Sequence, residues 1–259
     1  MPYLGLKRQL GKLWVASPKG RKIILLYHSI GNSTWALSEK IFNNQIDWLC
    51  DHCEVLSLTE LINVKPSTNI QVALTFDDGY VTLHQHVAPK LLDKKINGTA
   101  YINTGWIAEN QNNRSQSVAK LGHYPDESFL IWPEVKSLYT AGWEIGSHGV
   151  NHYNFSQMAY GLMQKELSLS KTHIEEKLKI DCLHFAYPWG RYSKNVKQFA
   201  HIIGYRDAVA GYHAPLSGCP DLFALPRLNI AKEYSFNDFK NIIFGKWDYL
   251  GIIHKIRGL

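Results

Sequence analysis

Short apolar runs alternate with longer stretches whose apolar residues recur every three or four positions along most of the chain. "IILLYHSI" at 23–30, "EVLSL" at 54–58, "QVALTF" at 71–76 and "GTAYINTGW" at 98–106 read as strands. So do "WEIGSH" at 143–148, "CLHFAYP" at 182–188, "RDAVAG" at 206–211 and "LFALPRLNI" at 222–230. Between them lie helical patterns: 38–53 behind Ser38 as N-cap, a short one at 59–63 behind Thr59, and 86–96. Others cover 132–142, with Pro133 in the first turn and Gly142 at the end, then 156–180, 193–204, and 235–246 behind Ser235. Residues 108–128 are polar and predict a surface loop or small insertion. Such alternation predicts a parallel α/β architecture with right-handed crossovers, in which chemistry gathers at the C-terminal ends of the strands.

The apolar content, 45% of 259 residues, suits one large domain over 23–259. Residues 1–22 stand apart: six Lys/Arg are interleaved with Leu4, Leu6, Leu10, Leu13, Trp14 and Val15 at helical spacing. That predicts a basic amphipathic helix, either packed on the domain or lying on a membrane surface. The net charge of +6 is a mild excess that favours anionic partners, and no nucleic-acid-binding motif accompanies it. No apolar run is long enough to span a membrane, and the first residues lack the apolar centre of a secretion signal. The expectation is a cytoplasmic protein, with peripheral contact to the inner face of the membrane through the N-terminal segment. Cys50 and Cys53 form a lone C-x-x-C, and with Cys182 and Cys219 they read as reduced thiols rather than a zinc site.

Four strand ends carry unusual residues: "YHSI", "TFDDGY", "GSHGVNH" and "AYPWGRY". Two histidines (His148 and His152) and one carboxylate of the Asp77-Asp78 pair make a common divalent-metal set with open positions. The H-x-x-x-H lacks the Glu of H-E-x-x-H, which disfavours a zincin protease. Adjacent side chains point to different sides. One aspartate can therefore bind the ion while the other takes a proton from the attacking water.

TFDDG, then S-H-x-x-x-H, then Y-P-x-G, in this order and spacing, resembles the polysaccharide deacetylase family (the NodB-homology or carbohydrate esterase family 4 domain) over about residues 23–230. The resemblance implies a distorted (β/α)7-type barrel as a single domain. It implies a metal-dependent hydrolase that removes an N-acyl group, usually acetyl, from an amino sugar. It assigns Asp77 as general base, and Asp78, His148 and His152 as ligands of a divalent metal, usually Zn2+. Trp189 falls where a backbone N–H stabilises the oxyanion, and Tyr187 and Trp189 are expected in the sugar-facing wall.

Two departures stand out. "AYPWG" lacks the Arg that precedes this motif in many members, and Arg227 in "LPRLNI" is the candidate to hold Asp77 instead. Asn229 sits where a histidine acid is usual, which leaves His28 and His213 as candidate proton donors. The expected substrate is an N-acylated amino sugar in a polysaccharide or glycan precursor, free or lipid-linked. The alternatives are a non-catalytic glycan-binding protein on the same fold and an ester hydrolase using the same site.

Overall fold

The computed structural model describes residues 4–216 and 220–256; Cys219 lies outside them. Helix α1 (Leu4–Leu13) precedes β1 (Lys22–Tyr27), α2 (Glu39–His52), β2 (Glu54–Leu56), α3 (Leu58–Asn63) and β3 (Gln71–Phe76). A π-helical turn over Leu83–Val87 leads into α4 (Ala88–Asp93), followed by β4 (Thr99–Ile102), α5 (Trp132–Thr140) and β5 (Glu144–Ser147). Next come α6 (Tyr160–Leu178), β6 (His184–Ala186), α7 (Lys194–Ile202), β7 (Asp207–Val209), β8 (Leu228–Asn229), α8 (Phe236–Ile243) and α9 (Tyr249–Ile256).

The paired strands run in the order β7-β6-β5-β4-β3-β1-β8, with β2 added beside the start of β3. The pairs are all parallel. Every residue of β3 is buried, as expected of a strand covered on both faces. Residues 225–229 draw the two edges together. Leu225 pairs with β7, donating to Ala208 O at 2.9 Å and accepting from Ala210 N at 2.8 Å. Three residues on, Leu228 and Asn229 pair with β1. The result is the distorted seven-stave ring expected from the sequence. The expected strand "LFALPRLNI" shrinks to two ladder residues because Pro226 has no N–H to give to a ladder.

Local signals account for most helix starts. Ser38 accepts from Ile41 N, and Ser235 forms a capping box with Asp238. The cap of α3 is Ser57, not Thr59: Glu60 lies three residues after Ser57 and closes a capping box with it. The Glu144 carboxylate, from β5, also accepts from the Leu58 and Thr59 N–H groups at 3.0 Å each. Behind it, at the N-terminal end of the barrel, His184 Nδ1 lies 2.9 Å from Asp207 Oδ2. Opposite this structural network, the C-terminal strand ends form the cleft.

Residues 108–128 lie mostly at the surface, as the sequence predicts. They form two short 3-10 turns and carry the buried His123 and Glu127. Ser29 and Ser33 both donate to Glu127, which ties the segment to the loop after β1. Helix α1 docks on the barrel: Arg8 forks onto Asp238, Tyr249 donates to Lys7 O, and Gly11 lies against the indole of Trp247. Its outward stripe of Leu6, Leu10 and Leu13 remains exposed. Among the described residues no helix is long and apolar enough to cross a membrane. Cys50 and Cys53 are half-buried free thiols and Cys182 is a buried one.

Candidate active site

Strand β3 ends at Phe76 and delivers Asp77 and Asp78 into a cleft of about 380 Å³. Asp78 sits in the left-handed region, at φ 73°, and Gly79 follows at φ 78°. This sharp turn sends the two neighbouring carboxylates to different partners. His152 (φ 59°) and Trp189 (φ 62°) adopt the same unfavourable conformation. Each such residue costs on the order of 1–3 kcal/mol, and clustering of this strain around one cleft is typical of a functional site.

Asp78 faces the histidines. Its Oδ1 lies 3.3 Å from His152 Nε2 and 3.6 Å from His148 Nε2. The other nitrogen of each ring is committed to the backbone: His148 Nδ1 donates to Ala186 O and His152 Nδ1 to Leu121 O, each at 2.8 Å. With those protons on Nδ1, both Nε2 lone pairs point at Asp78. Asp78 Oδ1 has no hydrogen-bond partner among the described residues. Burial, only partly offset by the two aspartates, holds His148 neutral, with its pKa down at about 4. Three buried acceptor atoms within 4.8 Å of one another suit a divalent cation.

Asp77 faces the other way. Arg227 Nη1 and Nη2 reach its two oxygens at 2.6 and 2.7 Å. The same guanidinium donates to Ala210 O and stands 5.8 Å from the Tyr101 ring centroid, so its plane is fixed. Burial by itself raises the Asp77 carboxyl, but Arg227 and then His148 outweigh it and bring the pKa to about 2. Asp77 is thus ionised, buried and 3.8 Å from His148 Nε2.

The other expected residues divide. His28 lines the cleft, stacks on Tyr124 at 5.2 Å between centroids, and leaves Nδ1 without a partner among the described residues. Trp189 also lines the cleft, half exposed, with its ring stacked on His152 and Nε1 donating to His152 O at 3.2 Å. Asn229 and His213 also line the cleft. Tyr187 does not. It is fully buried against Phe185 and Tyr192, and its hydroxyl donates to Phe223 O, which corrects its expected place in the sugar-facing wall.

Several lining residues carried no sequence signal. Gly122 and Tyr124 come from the polar 108–128 segment, and Lys7, Leu250 and His254 from the terminal helices. The apolar spacing of "YLGII" at 249–253 was the one available hint of α9.

A family model described as polysaccharide deacetylase matches residues 65–208. The Bacillus subtilis protein YxkH, which bears a polysaccharide deacetylase name, is 26% identical over 87% of this chain and 77% of its own length. A poly-beta-1,6-N-acetyl-D-glucosamine N-deacetylase of Staphylococcus aureus is 25% identical over 60% of this chain. The alignment spans only 54% of that relative's length. Among solved structures, the Streptococcus pyogenes deacetylase PplD superposes with a TM-score of 0.72 at 22% identity, covering 87% of this chain and 99% of its own. IcaB from Ammonifex degensii gives 0.73 at 18% identity, covering 88% and 98%. At those identities the two structures speak for the fold.

Proposed function

This chain belongs to the polysaccharide deacetylase family, and we propose that it hydrolyses an N-acyl group, acetyl foremost, from an amino sugar of a glycan. The observation that carries this reading is the split of the two adjacent aspartates: Asp78 turns to two histidines, Asp77 to an arginine. One residue pair thereby supplies both a metal ligand and an ionised base.

Asp78, His148 and His152 would hold the ion, and Zn2+, which catalytic sites of two histidines and a carboxylate commonly take, is the metal we favour. Such an ion supplies Lewis acidity toward a carbonyl oxygen and lowers the pKa of water. The protein's own groups do the rest. Asp77 takes the proton of the attacking water, and Arg227 keeps that carboxylate charged and aimed. The Trp189 N–H, in its left-handed turn, donates to the developing oxyanion; such a donor is worth on the order of 3 kcal/mol. The Trp189 indole offers a stacking face to the sugar. His28 delivers the proton to the leaving amine, a role supported by its place in the cleft lining and by a buried Nδ1 with no partner among the described residues.

For the substrate, we favour a saccharide precursor carrying a lipid, met at a membrane surface through α1. The outward Leu6, Leu10 and Leu13, beside Lys12, support that approach.

The test is acetate release from a panel of N-acetylated saccharides, free, oligomeric and lipid-linked, by the zinc-loaded protein beside Asp77→Asn. Release by the wild type that the variant lowers by about 10²–10⁴-fold is expected. Tight metal binding with no release from any substrate would favour a glycan-binding role instead.

A further inference from the structure

We propose that Glu166, on the inner face of α6, is a positioning residue of the metal centre. Its carboxylate holds the turn between His148 and His152, and with it the spacing of the two imidazoles that face Asp78. The inference rests on the metal-binding reading of Asp78, His148 and His152.

Between the two histidines the chain turns sharply, with Gly149 at φ 80° and His152 at φ 59°. A turn of this kind leaves the strand ladder, so its backbone groups need other partners. On the carbonyl side the partners come from the segment after β4. His148 O accepts from Asn103 Nδ2, Gly149 O from Thr104 N at 3.1 Å, and Val150 O from Gly105 N at 3.0 Å. On the N–H side, His148 N donates to Ile102 O at 2.9 Å and Gly149 N to Ser147 Oγ at 3.1 Å. The remaining two go to one side chain. Val150 N and Asn151 N donate to Glu166 Oε2 at 2.9 and 3.0 Å, and Asn151 Nδ2 donates to Oε1 at 2.6 Å. The turn is thus clamped between the backbone at 103–105 and a single carboxylate.

The inner face of α6 is otherwise built from Met163, Leu167, Ile174 and Leu178. Glu166 is 4% exposed there, and its hydrogen-bond partners among the described residues are the three donors of the turn. A buried acid is costly unless hydrogen bonds offset its lost hydration, and here the turn supplies them. The other polar residue on this face, Ser170, lies one helical turn on and accepts from Ser147 Oγ at 2.7 Å. Both polar positions of the buried face therefore serve the stretch that carries the histidines. The fit is close: a Cβ on Gly149 would lie 3.1 Å from Phe155 Cζ and 3.5 Å from Glu166 Oε2. His148 follows directly on β5, whereas His152 sits at the far end of the turn. Release of the clamp therefore shifts His152 relative to His148 and Asp78. Metal–ligand distances tolerate only about ±0.2 Å, so a small shift weakens the site.

The experiment measures zinc affinity by competition with a chromophoric chelator, beside thermal melts of the metal-free proteins. Glu166→Leu keeps the bulk and removes the acceptors; it should bind zinc about tenfold or more weakly than the wild type. Glu166→Gln keeps an oxygen for the two N–H groups, and the Asn151 amide can turn to meet its NH2; it should retain most of the affinity. If Glu166→Leu does not fold, Glu166→Asp takes its place. Its carboxylate falls one methylene short of the turn, and the expected loss is several-fold. A merely structural role would lower the melting temperature of the metal-free variant and leave the zinc affinity of the folded protein unchanged. That result overturns the inference, as does wild-type affinity in whichever of the Leu and Asp variants folds. A wild type that binds no zinc overturns the metal-binding reading itself, and this inference with it.

Discussion

Arg227 and Asp77, 150 residues apart in the chain, meet as a buried bidentate pair with both oxygens occupied at 2.6 and 2.7 Å. Removing the cation strands a buried carboxylate. Arg227→Ala should cost about 3–5 kcal/mol of stability in denaturant unfolding. It should also raise the Asp77 pKa from about 2, so the acid limb of the pH–rate profile moves to higher pH. Arg227→Lys keeps the charge but not the fork and should fall between. An acid limb that stays put in Arg227→Ala would remove Arg227 from the base's environment.

Metal retention is expected to depend on Asp78 and not on Asp77. After dialysis, elemental analysis should find one divalent ion per chain in the wild type and in Asp77→Asn, and a large loss in Asp78→Ala. Because binding to the folded state stabilises it by mass action, stripping with a chelator should lower Tm in the wild type and leave Asp78→Ala unmoved. Equal metal content in all three proteins would contradict the assignment.

The network at the other end of the barrel should make stability depend on pH. Burial alone lowers the His184 pKa, but the hydrogen bond and charge of Asp207, with Glu144 behind, raise it overall. A histidine raised in the folded state contributes fully below its unfolded pKa of about 6.5, and the contribution is lost as pH rises through the folded value. His184→Gln should therefore cost most near pH 6 and progressively less in alkali. Urea unfolding at several pH values reads the gap; a constant gap would mean that folding leaves the His184 pKa unshifted.

Gly122, at φ 81°, lies beneath the Trp189 indole, and a Cβ there would come within 2.3 Å of Trp189 Cη2. Gly122→Ala should displace the indole from His152 and raise KM several-fold, with about 1 kcal/mol or more of backbone strain. Steady-state kinetics check this. Unchanged KM and kcat would show that the indole position does not matter to turnover.

The chemistry-bearing strand ends were legible because parallel strands put their functional residues where an apolar run stops. Arg227 could be inferred too, because the family resemblance calls for an arginine on the base that "AYPWG" lacks, and "LPRLNI" in the last strand offers one. What was not legible depends on tertiary contact. Tyr187 follows its strand as directly as Asp77 follows β3, yet a neighbouring carbonyl, Phe223 O, draws its hydroxyl inward. The polar composition of 108–128 hides His123 and Glu127, buried because Ser29 and Ser33 satisfy the carboxylate and Phe129 and Trp106 pack against the imidazole. Lys7, Leu250 and His254 reach the cleft only through the docking of helices at the two ends of the chain.

The ring of strands closes through one short segment, residues 225–229, and that segment also carries Arg227. The barrel's thinnest stave is therefore its electrostatic fuse. A local opening there, well short of unfolding, would withdraw the guanidinium and leave Asp77 to be reprotonated, while the other staves and the three metal ligands stayed in position. In a warming or mildly denaturing medium, the molecule would then fall silent before it melts.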